Sequence, residues 1–351
     1  MNVYDGIHWN IYEILPFQRG FNFINGIRST GKTYTGQWYV LDKCIMKNRE
    51  FIFVVRTKTE KEKGALEKWF KKLIFEQYKN TTFEFTNEKF FLCNHDEENK
   101  IVYKKLLGYC IALSEVITIK NTSFPHVHYI LMDEYMLEDK HSHKYVTGWN
   151  EPDLLLNLYH TVDREEDRVK CFLFGNNTKF WNPYHMHKAF NIPKGIKQGE
   201  IWTSKNVLFQ WLKPSDGLIE KKSKCKFLEM IEETQYGEYA SKGNYTGDNY
   251  DFIEKLSGNL TYHFTFLYSN NQYGVYSDLR NGIIYISDKI DKSCKMVFAL
   301  TRDDHTENTL LTKSRSFSHL KFLANAYKTG NVRFVSMAVK VKAEEGIISL
   351  L

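Results

Sequence analysis

The stretch Gly26-Ile27-Arg28-Ser29-Thr30-Gly31-Lys32-Thr33 matches the phosphate-binding pattern G-x-x-x-x-G-K-[ST] at every position. Its glycines allow the backbone to curl so that N–H groups point at phosphate oxygens. The apolar run Phe21–Asn25 precedes the stretch and predicts a strand, and residues 34–47 follow it and predict a helix. We therefore expect Lys32 to reach the β- and γ-phosphates of a nucleotide and Thr33 to hold Mg²⁺.

Two adjacent carboxylates form the second motif. Asp133 and Glu134 follow the apolar run 127–132, about a hundred residues after the phosphate-binding loop. Such a run ending in two acids is common by itself, but together with the loop it favours an ATPase that uses a glutamate as its base. We expect Asp133 to hold Mg²⁺, directly or through water, and Glu134 to polarise the attacking water.

Continuous apolar runs predict a mainly parallel sheet that is buried on both faces. These runs are 51–55, 129–132 and 169–174. Helix candidates at 59–78 and 153–161 alternate with them, which is typical of an α/β fold. Residues 81–109 predict short strands and turns in an antiparallel excursion at the sheet edge.

The composition changes in the second half of the chain. Charges of both signs and glycines dominate residues 213–249, whereas strand-like runs and the hairpin turn Arg280-Asn281-Gly282 follow. A last helix candidate spans residues 320–328. We therefore predict an ATPase domain at 1–212, a linker or small helical subdomain at 213–249, and a small α+β domain at 250–351.

Composition excludes several classes of protein. The 351 residues carry 48 Lys and Arg against 42 Asp and Glu, so any nucleic-acid footprint must be a local patch. The six cysteines are scattered without a C-x-x-C pair, which argues against a zinc ribbon or a disulfide framework and suits a reducing cytosol. No run approaches the roughly 20 apolar residues of a membrane span, and no signal peptide is evident, so no membrane association is expected.

Several polar side chains are candidates for the nucleotide site. Asn176 follows the run 169–174 and could sense the γ-phosphate, although an asparagine in a turn is an equally good interpretation. Either Arg164 or Arg168 could reach the transition-state charge, the alternative being surface ion pairs. Arg56 and Lys58 lie just past a predicted strand and could also face the nucleotide.

Two further patterns bear on ligands. The pairs His126/His128, His141/His143 and His185/His187 could chelate a metal, but no third ligand completes a zinc site, which favours solvated or core histidines. Residues 308–343 contain no acid and interleave basic with aromatic residues, which predicts sequence-independent nucleic-acid binding. The alternatives are a basic surface without a partner or an acidic protein rim. The basic residues of this tail are Lys313, Arg315, Lys321, Lys328, Arg333, Lys340 and Lys342.

Residues 21–328 resemble the DNA-packaging ATPases of φ29-like small podophages. The resemblance implies an ATP-driven, homo-oligomeric ring, expected to be a pentamer, that docks on the portal (connector) of the prohead and pumps double-stranded DNA inward. It also implies an additional-strand catalytic-glutamate (ASCE) P-loop ATPase domain and a C-terminal domain of ribonuclease-H-like, vestigial nuclease type. The blocks that carry it are Phe23-Ile24-Asn25-Gly26, Asp133-Glu134-Tyr135, Thr161-Val162-Asp163-Arg164, Asn182-Pro183-Tyr184, Tyr236-Gly237-Glu238, Phe252-Ile253-Glu254-Lys255 and residues 51–58.

The same resemblance assigns roles to individual residues. Arg164 matches an arginine finger that acts on the neighbouring subunit, with Arg168 as a second arginine close by. Lys58 matches a lysine near the nucleotide, and Asn176 matches a sensor amide. The residues matched to DNA-facing pore loops are Lys120 and Lys140.

The resemblance also sets expectations for partners and location. The chain would act in the host cytoplasm and transiently at the portal vertex, and it is not expected in the mature virion. Use of a structural prohead RNA stays open. Asp278 and Asp288 form no convincing carboxylate cluster, so no nuclease activity is expected. The rival functions are a helicase or recombination ATPase, a nucleotide-switched binding protein and an active terminase-type nuclease.

Overall fold

The computed structural model describes residues 5–62, 81–96, 98, 100–137, 145–231, 233–234, 237, 245, 248–312 and 317–351. These residues divide into two compact units. The first unit comprises Met1–Thr147, Glu151–Phe180 and His187–Gly247, and the second comprises Gly148–Asn150, Trp181–Met186 and Asp248–Leu351. The three-part domain division drawn from the sequence remains a prediction.

A nine-stranded sheet forms the centre of the first unit, in the order β3-β4-β5-β2-β6-β7-β1-β9-β8. Its strands are β1 (Phe21–Asn25), β2 (Glu50–Val55), β3 (Thr81–Thr86), β4 (Lys89–His95), β5 (Ile101–Ala112), β6 (Val127–Asp133), β7 (Lys170–Gly175), β8 (Ile201–Ser204) and β9 (Val207–Trp211). The six strands from β5 to β9 in this order are parallel to one another. The antiparallel pairs β3–β4 and β4–β5 form the predicted excursion at one edge.

The position of β7 decides the type of ATPase fold. This strand lies between β1, which leads into the phosphate-binding loop, and β6, which ends at Asp133. An extra strand between these two is the additional strand of the ASCE arrangement, so the fold class predicted from the sequence is confirmed. The register pairs Phe174 of β7 with Ile24 on one side and with Asp133 on the other. The loop, Asp133 and the residues after β7 therefore emerge at one edge of the sheet.

Eight α-helices lie in the described ranges. They are α1 (Lys32–Lys47), α2 (Lys58–Glu62), α3 (Glu151–Asp163), α4 (Pro183–Met186), α5 (Asp216–Ser223), α6 (Lys226–Ile231), α7 (Ser318–Lys328) and α8 (Met337–Ile348). The predicted helix 59–78 begins in α2, and the remainder of it lies outside the described residues. No helix that the structure describes has the length and apolar character needed to cross a bilayer.

Close contact with the sheet fixes the position of α1. Gly36 lies on the face of α1 that meets β7, and a Cβ at this position would overlap the ring of Phe174. The helix therefore approaches the sheet more closely than any other residue type at position 36 would allow. The core on this face includes Ile24, Phe53 and Leu131.

A six-stranded sheet forms the second unit, in the order β14-β13-β10-β11-β12-β15. The strands are β10 (Thr261–Tyr268), β11 (Asn271–Asp278), β12 (Ile283–Ser287), β13 (Val297–Ala299), β14 (Leu310–Leu311) and β15 (Val332–Phe334). β10, β11 and β12 form an antiparallel meander, whereas β13 and β14 extend the sheet in parallel on the far side of β10. This strand order is that of a ribonuclease-H-like sheet, the fold that the family resemblance implies for this domain.

Candidate active site

The phosphate-binding loop curls through two left-handed backbone positions. Ser29 has φ 69° and Gly31 has φ 80°, and α1 begins directly after Gly31. A Cβ on Gly31 would lie 2.7 Å from Cβ of His8, so both the backbone conformation and the space require glycine there. Thr30 Oγ1 donates a 3.0 Å hydrogen bond to the carbonyl oxygen of Ile27 and closes the curl.

Lys32 lies buried at the start of α1, inside this curl. Its Nζ donates to the carbonyl oxygens of Gly26 and Ile27, both at 3.3 Å, and to Oδ1 of Asn176 at 2.9 Å. Asn176 is itself buried and follows β7 directly. The structure therefore brings together a lysine and an amide that the sequence predicts for the same site, 144 residues apart in the chain.

Thr33 and Asp133 meet at the same edge of the sheet. Thr33 Oγ1 donates a 3.0 Å hydrogen bond to Asp133 Oδ1, and the same oxygen accepts a 3.0 Å bond from the N–H of Glu134. Burial raises the pKa of Asp133 to about 6, and the positive charge of Lys32 opposes this rise. A hydroxyl and a carboxylate oxygen are ligands that Mg²⁺ prefers, so these two residues fit the predicted metal.

Glu134 is exposed and has a left-handed backbone, with φ 51°. A non-glycine residue keeps this conformation only where its surroundings impose it. The guanidinium of Arg56 does so, because it donates to the carbonyl oxygens of Glu134 at 2.9 Å and Tyr135 at 2.5 Å. Arg56 also donates through Nε to Oε1 of Glu151 at 3.1 Å.

These contacts engage the guanidinium of Arg56 within its own chain, with the backbone after β6 and with the Glu151 carboxylate, whereas the sequence suggested that it could face the nucleotide. Glu151 is fully buried at the start of α3, and its other carboxylate oxygen accepts from the N–H of Val146 at 2.7 Å. Sequence reasoning did not identify Glu151, since a glutamate at the start of a helix is ordinarily a solvated residue. Lys58 is two-thirds exposed at the start of α2, and its ion pair is with Glu115, 3.8 Å away.

The turn that carries Arg164 follows the end of α3. Arg164 is exposed with φ 51° and projects from a loop that the carboxylate of Asp163 holds through three backbone N–H groups. The guanidinium of Arg168 contacts the carbonyl oxygen of Val127, the first residue of β6. Asp133 is the last residue of β6, so this turn lies toward the opposite edge of the sheet from the phosphate loop of its own chain.

Contacts within its own chain hold the guanidinium of Arg168. Besides Val127, it donates to the carbonyl oxygens of Phe124 at 3.1 Å and Val162 at 2.5 Å, and it pairs with Glu166 at 2.6 Å. All of its terminal nitrogens are therefore committed to its own chain, whereas Arg164 is exposed.

The DNA contacts predicted for Lys120 and Lys140 remain predictions. Lys120 is exposed, directly after the 3₁₀ helix Leu113–Ile119. Lys140 lies outside the described residues.

The basic tail does not form one face in the part of it that the structure describes. Lys340 is buried, and its Nζ donates to the carbonyl oxygens of Asn249 and Asp251. Arg333 lies 3.6 Å from the carboxylate of Glu254. Lys321 and Lys328 are exposed on α7, and Lys313 and Arg315 lie outside the described residues. The tail's charge is thus partly used within its own unit.

The described residues contain no cluster of three or more His, Cys, Asp and Glu side chains suited to a metal ion. The pair His141 and His143 lies outside them. Nδ1 of His128 is 2.9 Å from the carbonyl oxygen of His126, so this pair is joined through backbone.

A cavity of about 190 Å³ adjoins the phosphate loop, and sequence reasoning missed the segment that lines it. Residues 6–9 form one wall, and residues 212–215 after β9 form another. The N–H of Trp9 donates to the carbonyl oxygen of Thr30 at 2.8 Å, and its indole Nε1 donates to Gln210 Oε1 at 2.9 Å. No sequence pattern marks this segment, because part of its contacts come from residues about two hundred positions away, such as Gln210.

Comparisons with known proteins identify the family of this chain. The sequence profile of the podovirus DNA encapsidation protein (Gp16) family matches residues 3–347. The DNA packaging proteins of Bacillus phages phi29 and PZA are each 30% identical over 341 residues, which is 97% of this chain and 96% of theirs. A solved structure of the bacteriophage Phi-29 viral genome packaging motor assembly has a TM-score of 0.69 at 28% identity and covers 98% of this chain and 99% of its own. The chain therefore belongs to the podovirus DNA encapsidation protein (Gp16) family.

Proposed function

We propose that this protein hydrolyses ATP to move double-stranded DNA into the prohead of a phage. The observation that carries the proposal is the 3.0 Å contact between Thr33 Oγ1 and Asp133 Oδ1. It joins a complete phosphate-binding loop to an acidic pair on a strand two positions away in the sheet, which is the arrangement of an ATPase that uses a catalytic glutamate. The family membership and the similarity to a packaging motor support double-stranded DNA as the molecule that the protein moves.

The residues fit a hydrolytic mechanism. Lys32 would bind the β- and γ-phosphates, and Thr33 and Asp133 would hold Mg²⁺, which when bound neutralises charge on the phosphates. Glu134 would orient and deprotonate the attacking water, since its exposed carboxylate follows directly after Asp133. Asn176 would sense the γ-phosphate, because it already contacts the lysine that reaches for it.

The cavity beside the loop is suited to the rest of the nucleotide. The backbone N–H groups of residues 26–31 and the N-terminal end of α1 would take the phosphates. The indole of Trp9 and the carbon chain of Leu212 would then border the base and ribose. Lys58 would reach the nucleotide by releasing its ion pair with Glu115, from which it is 3.8 Å away.

Arg164 would complete the active site of a neighbouring subunit. This assignment is supported by its exposure and by its distance along β6 from the phosphate loop of its own chain. Contacts between unlike surfaces close naturally into a ring, and we propose a pentamer at the portal of the prohead. Lys120 and Lys140 would grip DNA phosphates without regard to sequence.

The C-terminal unit, with the proposed bounds 250–351, would bind nucleic acid or portal and would not cut DNA. Asp278 accepts hydrogen bonds from Arg280 and Asn281 and caps the turn between β11 and β12, so its carboxylate is engaged in structure. Nuclease chemistry on paired metal ions needs several converging acids. The proposed ATPase domain is 1–212, joined by 213–249. The protein would act in the host cytoplasm and at the portal vertex, with or without a prohead RNA, and would be absent from the mature virion.

DNA protection with purified proheads tests this function. The wild-type chain, ATP and Mg²⁺ should render DNA resistant to added nuclease, whereas Lys32→Ala should leave it sensitive. Strand separation without proheads would instead favour a helicase, and negligible ATPase activity with DNA and proheads present would favour a nucleotide-switched binding protein. Metal-dependent cleavage of plasmid DNA would contradict the proposed lack of nuclease activity.

A further inference from the structure

A basic cavity lies at the edge of the large sheet opposite the phosphate loop. Its volume is about 410 Å³, within the range of about 300–1,000 Å³ that small-ligand pockets occupy. Three basic residues near the beginnings of parallel strands line this cavity. They are Arg19 before β1, Arg49 before β2, and Lys170 at the start of β7. Tyr39 of α1 forms part of the wall. None of the described residues lining this cavity is acidic.

Four arginine and lysine side chains line this cavity, and in the described part of the chain only Arg168 among them is paired with a carboxylate, that of Glu166. Arg19 Nε is buried and has no hydrogen-bond partner within the described ranges. Arg49 donates to the hydroxyl of Tyr129 at 2.8 Å, and Lys170 donates to the carbonyl oxygen of Gln18 at 2.9 Å. In the part of the chain that the structure describes, none of these three cations forms an ion pair with a carboxylate.

Positive charges at this cavity act on one another and on His128. Burial lowers the pKa of Lys170; Asp167 and Asp163 oppose this effect, and the charge of Arg19 adds to it. Burial also lowers the pKa of His128, with Arg49 and Arg168 contributing. A guanidinium nitrogen that is shielded from water and lacks an acceptor is unfavourable, so an arriving anion would relieve both the missing bond and the crowding of positive charge.

We propose that this cavity is a second anion site, separate from the nucleotide pocket, that binds a phosphate group. Two arginines and a lysine face a space without carboxylates, and the planar fork of a guanidinium matches two phosphate oxygens at once. The phosphate could be a free diphosphate or a phosphodiester of the nucleic-acid backbone. Both ligands present the phosphate oxygens that the cavity would bind. They differ because a phosphodiester belongs to a long nucleic-acid strand, whereas a diphosphate is a small free ion.

Pyrophosphate titration of the full chain tests the site directly. Lys32→Ala serves as the background, because it weakens the competing phosphate loop. Adding Arg19→Ala and Arg49→Ala should weaken pyrophosphate binding at least about tenfold in calorimetry. Adding Lys100→Ala and Lys224→Ala instead removes the same charge from residues that are 73% and 72% exposed, and it should leave the affinity unchanged.

Duplex DNA binding identifies the source of the phosphate. If the backbone occupies the cavity, Arg19→Ala with Arg49→Ala should reduce the slope of log affinity against log salt by about two. If a free diphosphate occupies it, pyrophosphate affinity falls while the DNA slope stays the same. Both results support an anion site. Unchanged pyrophosphate affinity together with an unchanged DNA slope would overturn it.

A double substitution that preserves the positive charge distinguishes loss of binding from loss of folding. Arg19→Lys with Arg49→Lys keeps the positive charge and loses the fork, so it should weaken pyrophosphate binding by about threefold or more while the circular dichroism spectrum and melting temperature stay those of the background. Affinity equal to the background in this well-folded variant would contradict recognition by the guanidinium groups. The proposed ATPase activity does not enter either measurement, so its failure would be separate.

Discussion

Lys32 and Asn176 are joined by a 2.9 Å hydrogen bond between the ammonium group at the start of α1 and the amide oxygen after β7. Because the amide of Asn176 is neutral, it positions the Lys32 ammonium group but attracts it less strongly than a phosphate would. A carboxylate in the same place would form a buried ion pair and retain the lysine against a phosphate. The identity of residue 176 therefore sets how readily Lys32 transfers to a nucleotide.

Asn176→Asp should weaken ATP binding about tenfold, because Lys32 would be held by an ion pair. Asn176→Ala should leave the affinity within a few fold of wild type and should lower turnover, since the γ-phosphate loses its sensor. Titration with a fluorescent ATP analogue and steady-state ATPase assays measure the two effects. Equal affinities of the aspartate variant and wild type would contradict this account.

The Arg56–Glu151 pair should couple stability to catalysis. Arg56→Ala should destabilise the fold by about 3–5 kcal/mol, because it removes the guanidinium that offsets the buried charge of Glu151. It should also lower turnover, because the carbonyl groups of Glu134 and Tyr135 lose their donor. Urea unfolding and ATPase assays give the two values.

An apolar replacement of both partners separates these effects. Arg56→Met combined with Glu151→Leu should recover most of the lost stability, as apolar replacement of buried ion pairs often does. Turnover should stay low, because no donor then orients the backbone at Glu134. Full recovery of turnover would mean that Arg56 supports the fold alone.

Gly36→Ala should destabilise the protein despite the better helix propensity of alanine. The gain in propensity is about 1 kcal/mol, whereas the added methyl would overlap the buried ring of Phe174 and cost about 1–3 kcal/mol. Gly195→Ala is the matched control, because a Cβ there meets nothing within 4 Å and its effect should be near zero. Thermal unfolding measures the melting temperatures of the two variants. Equal melting temperatures would contradict the close packing of α1 against Phe174.

Asp133 predicts a pH dependence in the metal-free protein. Its pKa is about 6 in the folded chain against 3.8 for an unperturbed aspartate, so the folded state binds more protons between these values. The wild type should therefore lose stability relative to Asp133→Asn as the pH rises from about 4 to about 6, with no further loss above that. Urea unfolding at several pH values measures this difference. A gain in relative stability over the same interval would show that the carboxylate is not buried as described.

Local sequence patterns were sufficient to predict many of the strands and helices of the first unit. The loop at 26–33 and the apolar runs identified β1, α1, β2, β6 and β7, because a buried parallel strand needs a continuous apolar stretch. β8 and β9 were not identified. Ile201–Ser204 is short and ends in two polar residues, whereas Val207–Trp211 is a mainly apolar run that was overlooked. The hairpin between β10 and β11 was also missed, because Ser269 and Asn270 form its turn without a glycine.

The residues of the candidate site also fall into two groups, those that the sequence predicted and those that it did not. Lys32, Thr33, Asp133 and Asn176 follow strand ends or open a helix, so their chain positions predicted their proximity. The roles of Arg56 and Glu151 depend on contacts between distant elements, 95 residues apart, which no local pattern reports. The same holds for Arg168, whose carbonyl partners lie up to 44 residues away.

A mixing experiment tests the central claim, that one subunit's phosphate loop and Glu134 act with the Arg164 of its neighbour. Glu134→Gln and Arg164→Ala should each bind ATP and each lose turnover by about 100-fold or more when assayed alone with DNA and proheads. Mixed together, they should recover measurable ATPase activity, because some interfaces then pair an intact Glu134 with an intact Arg164. Recovery confined to the mixture is the predicted result, and a mixture as inactive as its components would contradict the account.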